Sequence, residues 1–208
     1  MKKIALVSFL LLIAVYMHAQ WSPDNGDGTY KNPIIHADYS DPDVIRVGDD
    51  YWMVASSFTC MPGIPLLHSH DLVNWKIVNH IYDRLPLQKY DHPVHGQGSW
   101  APSIRHHEGM FYVYFCTPHD GLFVARATDP LGKWDLKHIV DVEKWEDPCP
   151  FWDEDGQAYL VHSIHRGGPA IIHKMSWDGL QLLDNGKVVY HDICLLYTSP
   201  SPRDSTSS

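Results

Sequence analysis

The strongest constraint on this chain is a unit that occurs three times. Asp41-Pro42-Asp43 opens an alternating run that ends at Val47, Gly48-Asp49-Asp50 supplies a turn, and residues 51–57 return. Runs over 64–69 and 74–78 complete a four-strand meander. Trp100-Ala101-Pro102 opens the pattern again, turning at Glu108-Gly109, with strands expected over 111–115, 122–127 and 134–139. Asp147-Pro148 opens it a third time, with strands expected over 158–162, 170–175 and 187–190. The opening prolines stand 60 and 46 residues apart. A four-strand unit repeated at about this period predicts an all-β chain built of β-propeller blades, three of them, at roughly 32–80, 98–140 and 145–191. No stretch carries a helical period, which disfavours an α/β fold. The 15 prolines, 14 glycines and 12% aromatic content agree with short strands joined by tight turns.

Both ends fall outside that pattern. Lys2 and Lys3 precede an apolar run from Ile4 to Met17 and a small residue at Ala19, the layout of a secretory signal over residues 1–19. The run is shorter than the roughly 20 residues that a membrane-spanning helix needs. The expectation is a secreted or periplasmic protein, with no membrane association once the signal is removed. After Ile193 the strand grammar stops. The string from Cys194 to Asp204 resembles the translation of a sequencing adapter, so residues 194–208 are expected to be foreign to the native chain, leaving 20–193 as its own.

A formal net charge of −9 argues against nucleic acid as a partner. With Cys194 in the foreign segment, Cys60, Cys116 and Cys149 remain, an odd number that does not suggest a disulfide framework. The absence of any C-x-x-C spacing disfavours structural zinc. Fifteen histidines invite a metal reading, yet His92 with His95, His106 with His107 and His162 with His165 lie in separate segments without a carboxylate completing a ligand set. No metal ligand is assigned, and no cofactor is required.

In a propeller the first strand of each blade lines the central channel, so Asp41, Trp100 and Asp147 are expected to converge although remote in sequence. Two carboxylates beside an indole suit a sugar, whose ring packs on the aromatic face while the acids handle protons. An aspartate before proline is also common in turns, where it caps nearby amides. Recurrence at equivalent places weighs against that plainer role. Asp38 and Asp43 compete with Asp41, and strand alternation sends Asp43 to the same side.

Asn32-Pro33-Ile34, the run from Tyr39 to Tyr51, Pro62-Gly63-Ile64, His68-Ser69, Asp71-Leu72, Trp100-Ala101-Pro102 and Asp147-Pro148 followed by Asp153-Glu154-Asp155-Gly156 together resemble glycoside hydrolase family 43. The resemblance covers nearly all of residues 32–190, in the family's order. It implies a five-bladed propeller and an inverting, exo-acting enzyme on xylan or arabinan side chains or their oligosaccharides, of β-xylosidase or α-L-arabinofuranosidase type. It makes Asp41 the general base, Asp147 the residue that orients the proton donor and raises its pKa, and Phe58 and Trp100 the lining of the sugar subsite. A calcium ion in the channel, found in some relatives, has no support in these residues. The family's general acid is a Glu in a Glu-Gly-Pro motif opening the fourth blade, and that motif does not occur in the 208 residues. The chain is therefore expected to be truncated and inactive alone. Glu146 stands where the resemblance implies an apolar or aromatic residue. The alternative reading is a non-catalytic carbohydrate-binding propeller.

Overall fold

The computed structural model describes residues 21–191; the expected signal (1–19) and foreign (194–208) segments lie outside the described residues. Among the described residues, twelve strands form three four-stranded antiparallel sheets. The first contains β1 (Asp43–Val47), β2 (Asp50–Val54), β3 (Gly63–Ser69) and β4 (Lys76–Tyr82). The second contains β5 (Trp100–His107), β6 (Met110–Thr117), β7 (Gly121–Ala127) and β8 (Asp135–Val140). The third contains β9 (Trp145–Trp152), β10 (Ala158–Ile164), β11 (Ala170–Met175) and β12 (Lys187–Tyr190). Each sheet is a meander in which strands pair in chain order. One 3-10 turn, Gln88–Asp91, interrupts the connection between the first two sheets.

The fourth strand of the first sheet differs from the expectation. Residues 74–78 read as its span, but β4 runs from Lys76 to Tyr82. The start is delayed because Asp71 Oδ1 accepts the amides of Val73 and Asn74 at 2.8 and 2.7 Å, which holds those residues in a capped turn. The extension is held by Tyr82, whose ring packs where a Cβ on Gly63 would stand.

Alternation on the middle sheet divides the core in two. Phe111, Val113, Phe115, Phe123 and Ala125 face the first sheet and pack with Trp52, Val54, Ile64, Leu66 and Ile81. Tyr112, Tyr114, Cys116, Leu122 and Val124 face the third sheet and pack with Ala158, Leu160 and Met175. Because both faces of β6 are covered, its sequence is a nearly unbroken apolar run rather than an alternating one. Burying each such side chain contributes about 1.5–3 kcal/mol, so the middle sheet is the anchor for its neighbours.

Polar contacts tie the leading strands together. Asp43 Oδ2 accepts the amide of Ile104 at 2.8 Å and pairs with the Arg105 guanidinium. Arg105 reaches on to Cys149 Sγ at 2.9 Å, and the Ser103 hydroxyl donates to the Pro148 carbonyl. β1, β5 and β9 are thereby linked in sequence. None of Cys60, Cys116 and Cys149 is in a disulfide.

Candidate active site

The three openings share one backbone device. In the second sheet Trp100 pairs with Cys116 and Ser103 with Tyr114, so Ala101 and Pro102 together oppose Phe115. In the third, Glu146 pairs with Ser163 and Cys149 with Val161, so Asp147 and Pro148 together oppose His162. In the first, Asp43 pairs with Val54 while the Ser56 amide donates to the Ser40 carbonyl at 2.9 Å, so Asp41 and Pro42 oppose Ala55. Each is a bulge with one residue too many. Proline fits the unpaired position because it has no N–H to leave unsatisfied. The residue before it takes a positive φ: 52° at Asp41, 23° at Ala101 and 55° at Asp147. Such angles are uncommon outside glycine, and the pre-proline position normally prefers extended backbone. The strain re-aims the side chain that leads each strand.

This geometry adds detail to two of the sequence readings. The residue equivalent to the two aspartates is Ala101, not Trp100, which stands one place earlier, at the position that Ser40 and Glu146 hold in the other two openings. The alternation argument for Asp43 also fails in its premise, because Asp41 lies in a left-handed bulge outside β1 while Asp43 is the strand's first residue. Asp43 is committed to Arg105 and to the Ile104 amide, whereas Asp41 makes no ion pair among the described residues. Asp38 has no side-chain partner among the described residues.

Asp41 is oriented by hydroxyls. Ser40 and Ser56 donate to its Oδ2 at 2.9 and 2.8 Å. Ser56 Oγ in turn accepts the amide of Ala101 at 2.7 Å, so the second bulge fixes the first one's acid. Asp147 has a different environment. It faces solvent at the mouth, yet its carboxyl is pushed above the ordinary value, first by desolvation, then by the Glu146 carboxylate and then by that of Asp41. Asp41 lies close enough for its charge to act on the Asp147 carboxyl. Cys116 lies buried near Asp147, its thiol pushed up by burial and by the charges of Asp147 and Glu146.

An aromatic pair flanks the same connections, Phe58 two residues beyond Ser56 and Trp100 next to Ala101. Phe58 and Trp100 meet edge to face, with centroids 6.2 Å apart and an interplanar angle of 68°. Phe58 has φ 48° and donates its amide to the Ser99 carbonyl at 3.0 Å. Gly98 permits that approach, since a Cβ there would stand 1.8 Å from the Phe58 carbonyl oxygen. Trp100 is held by its indole N–H on the Gly96 carbonyl at 2.8 Å and by the His165 ring at 5.3 Å. His165 Nδ1 lies 2.7 Å from Glu146 Oε2. Glu146 thus occupies its unexpected place with a partner. A cleft of about 600 Å³ opens beside Trp100, walled by Gln97, His119, Lys144, Trp145, His165 and Arg166. A larger cleft, about 970 Å³, lies along β4 and β8 on the outer strands, and neither cleft is lined by Asp41 or Asp147.

Comparison with known proteins decides the family. The model for glycosyl hydrolases family 43 matches residues 30–201. The chain belongs to glycosyl hydrolase family 43. Within the family it is 56% identical over 169 residues to the Xylanibacter ruminicola protein named "Putative beta-xylosidase", covering 80% of this chain and 32% of that one. It is 40% identical to the "Beta-xylosidase" of Formosa agariphila, covering 86% and 33% of the two chains. The "Non-reducing end alpha-L-arabinofuranosidase BoGH43B" of Bacteroides ovatus is 37% identical, with 67% and 27% covered. Among solved structures, the GH43 protein BlXynB of Bacillus licheniformis superposes with a TM-score of 0.67 at 27% identity, covering 78% of this chain and 34% of that one. The chain spans about a third of the length of the curated relatives it matches.

Ser40, Ser56, Gly98 and the Glu146–His165 pair escaped the sequence reading. Only the register identifies Ser56, since its role depends on lying across the first bulge from Ser40.

Proposed function

We propose that this chain is the leading part of a secreted, exo-acting glycoside hydrolase that removes xylosyl units from xylan-type side chains or oligosaccharides with inversion. In this reading the three sheets are three blades of a five-bladed propeller. The observation that carries it is that Asp41 and Asp147 lead their sheets from matching left-handed bulges, close enough for the charge of Asp41 to act on Asp147, while the Phe58–Trp100 pair flanks the opening of the second sheet. The names of the relatives favour xylosides, and the Bacteroides ovatus protein makes α-L-arabinofuranosides the second candidate.

Asp41 accepts a proton from the attacking water, and its two hydroxyl donors fix the oxygen that does so. Inversion needs a second, protonated carboxyl about 6.5–9.5 Å from the base, leaving room for that water. Asp147 orients that acid and, once ionised, raises its pKa by like charge. Phe58 and Trp100 pack on the sugar face. Water, base and acid suffice, so no cofactor enters the step. The acid itself belongs to a Glu-Gly-Pro motif that the 208 residues lack, so this chain alone is proposed to be inactive, since losing acid catalysis costs about 10²–10⁴-fold.

The test is hydrolysis of aryl β-xylosides and aryl α-L-arabinofuranosides by the full-length enzyme, with the anomer of the first product read by NMR. Inverted xylose, and turnover abolished by Asp41→Ala, are expected. A retained anomer, or undiminished turnover by that variant, overturns the assignment. A full-length protein that binds xylo-oligosaccharides without hydrolysing them establishes the binding-module reading instead.

A further inference from the structure

At the end of the first sheet remote from Asp41, three side chains converge that the mechanism does not use. Asp50 is the first residue of β2 and pairs with Val47, the last of β1, which places it about 17 Å of strand away from the catalytic opening. His68 lies near the end of β3 opposite Trp52, and His70 follows two residues later on the same face. His68 Nε2 is 2.7 Å and His70 Nδ1 3.1 Å from Asp50 Oδ1. The three ligand atoms all lie within 4.8 Å of one another. The two imidazoles meet edge to face at 4.6 Å, and the Trp52 ring packs on His68 at 4.6 Å, which fixes the orientation of the better buried ring.

We propose that Asp50, His68 and His70 form a binding site for a zinc-class divalent ion. Two imidazole nitrogens and one carboxylate oxygen are a donor set that suits Zn²⁺ and disfavours Ca²⁺ or Mg²⁺, which take oxygen ligands. Bonds of about 2.0–2.2 Å hold tetrahedral ligand atoms about 3.3 Å apart, so the carboxylate–imidazole spacings of 2.7 and 3.1 Å need open only by tenths of an ångström, and the two imidazole nitrogens, within 4.8 Å, need close by no more than about 1.5 Å. On binding, each facing nitrogen gives its proton to the other ring nitrogen or to water and presents its lone pair. Exposure of His70 leaves the fourth position to water. The ion staples β2 to β3 and to the β1–β2 turn. The sequence reading missed this site because its ligands are not a consecutive motif: His68 near the end of β3 and His70 just past it are completed by an aspartate from the neighbouring strand.

The test is zinc titration of the chain by calorimetry, with thermal unfolding followed at rising zinc. One equivalent is expected to bind, and zinc at a hundredfold above the dissociation constant is expected to raise the midpoint by about 5–10 °C. His70→Ala and Asp50→Asn are each expected to weaken binding at least about tenfold, while the control His92→Ala does not. Cobalt(II), added in place of zinc, is expected to show the visible absorption of four-coordinate metal, and His70→Ala to remove it. Failure to saturate overturns the site, as does an affinity unchanged in both ligand variants. Calorimetry is independent of turnover, so neither result bears on the catalytic reading.

Discussion

The first and third openings begin with the same three features, an aspartate at positive φ, a proline and a bulge, yet their surroundings are opposite. Asp41 is held by two serine hydroxyls and, through Ser56, by the backbone of the second sheet. Asp147 has a carboxylate at its shoulder in Glu146, and the strand opposite carries the buried His162, which meets the buried His173 of β11. His162 stacks on Trp145 at 3.8 Å and its Nε2 lies 3.1 Å from His173 Nε2. The shared backbone aims an acid at the mouth. The neighbours decide what that acid does.

Kinetics break this comparison most directly. In the full-length enzyme Asp41→Asn is expected to lose about 10²–10⁴-fold in kcat on every substrate, since no leaving group compensates for a missing base. Asp147→Asn is expected to lose strongly on xylobiose and little on an aryl xyloside with a good leaving group, measured as kcat/KM on the two. Equal losses by Asp147→Asn on both substrates would deny it a role through the acid.

Acid should strike the Asp147 side. Burial, assisted by His173 and opposed by the hydrogen bond to the Ser163 carbonyl, lowers the His162 imidazole from 6.5 to about 4. The unfolded chain therefore takes up a proton between those values and the folded chain does not. This contribution is intact above pH 6.5 and lost as pH falls toward 4, by about 2 kcal/mol. Urea midpoints at pH 7 and pH 4.5 read the loss, and His162→Phe is expected to reduce the difference. On the aromatic wall, Gly98→Ala sets a Cβ against the Phe58 carbonyl and is expected to cost about 1–3 kcal/mol of stability, seen in the same midpoints. Ser56→Ala removes the hydroxyl between Asp41 and the Ala101 amide, and kcat is expected to fall about tenfold, the worth of one hydrogen bond of roughly 1.4 kcal/mol.

Much of this was legible before any coordinates, because a sheet that buries a face writes its period into the chain. The strands around Glu108-Gly109 and Asp153–Gly156 sit where turn residues and apolar runs place them. Asp41, Trp100 and Asp147 were found by recurrence, a one-dimensional signal. What that signal could not carry is the backbone of the bulge. Alternation assumes extended residues, so it could not show that Asp41 lies in a left-handed bulge ahead of β1, or that Ala101 rather than Trp100 takes the matching backbone conformation. Partners defined across the ladder were invisible for the same reason: Ser56 on Asp41, Arg105 on Asp43 and His165 on Glu146 are between 15 and 62 residues from the groups they serve.

The smallest expected effect separates the two acids most sharply. Desolvation is the largest cause of Asp147's raised carboxyl, with Glu146 second and Asp41 third. Removing a negative neighbour makes the ionised form easier to reach, so Glu146→Gln and Asp41→Asn should both lower the Asp147 titration midpoint, and Glu146→Gln should lower it more. Carbon-13 NMR of labelled aspartate side chains reads both shifts. Because burial remains in each variant, neither should bring the midpoint fully back to the ordinary value. If Asp41→Asn produces the larger shift, the two openings are coupled more closely than their separate neighbours allow. Asp147 would then be set by its counterpart across the mouth rather than by the glutamate at its side.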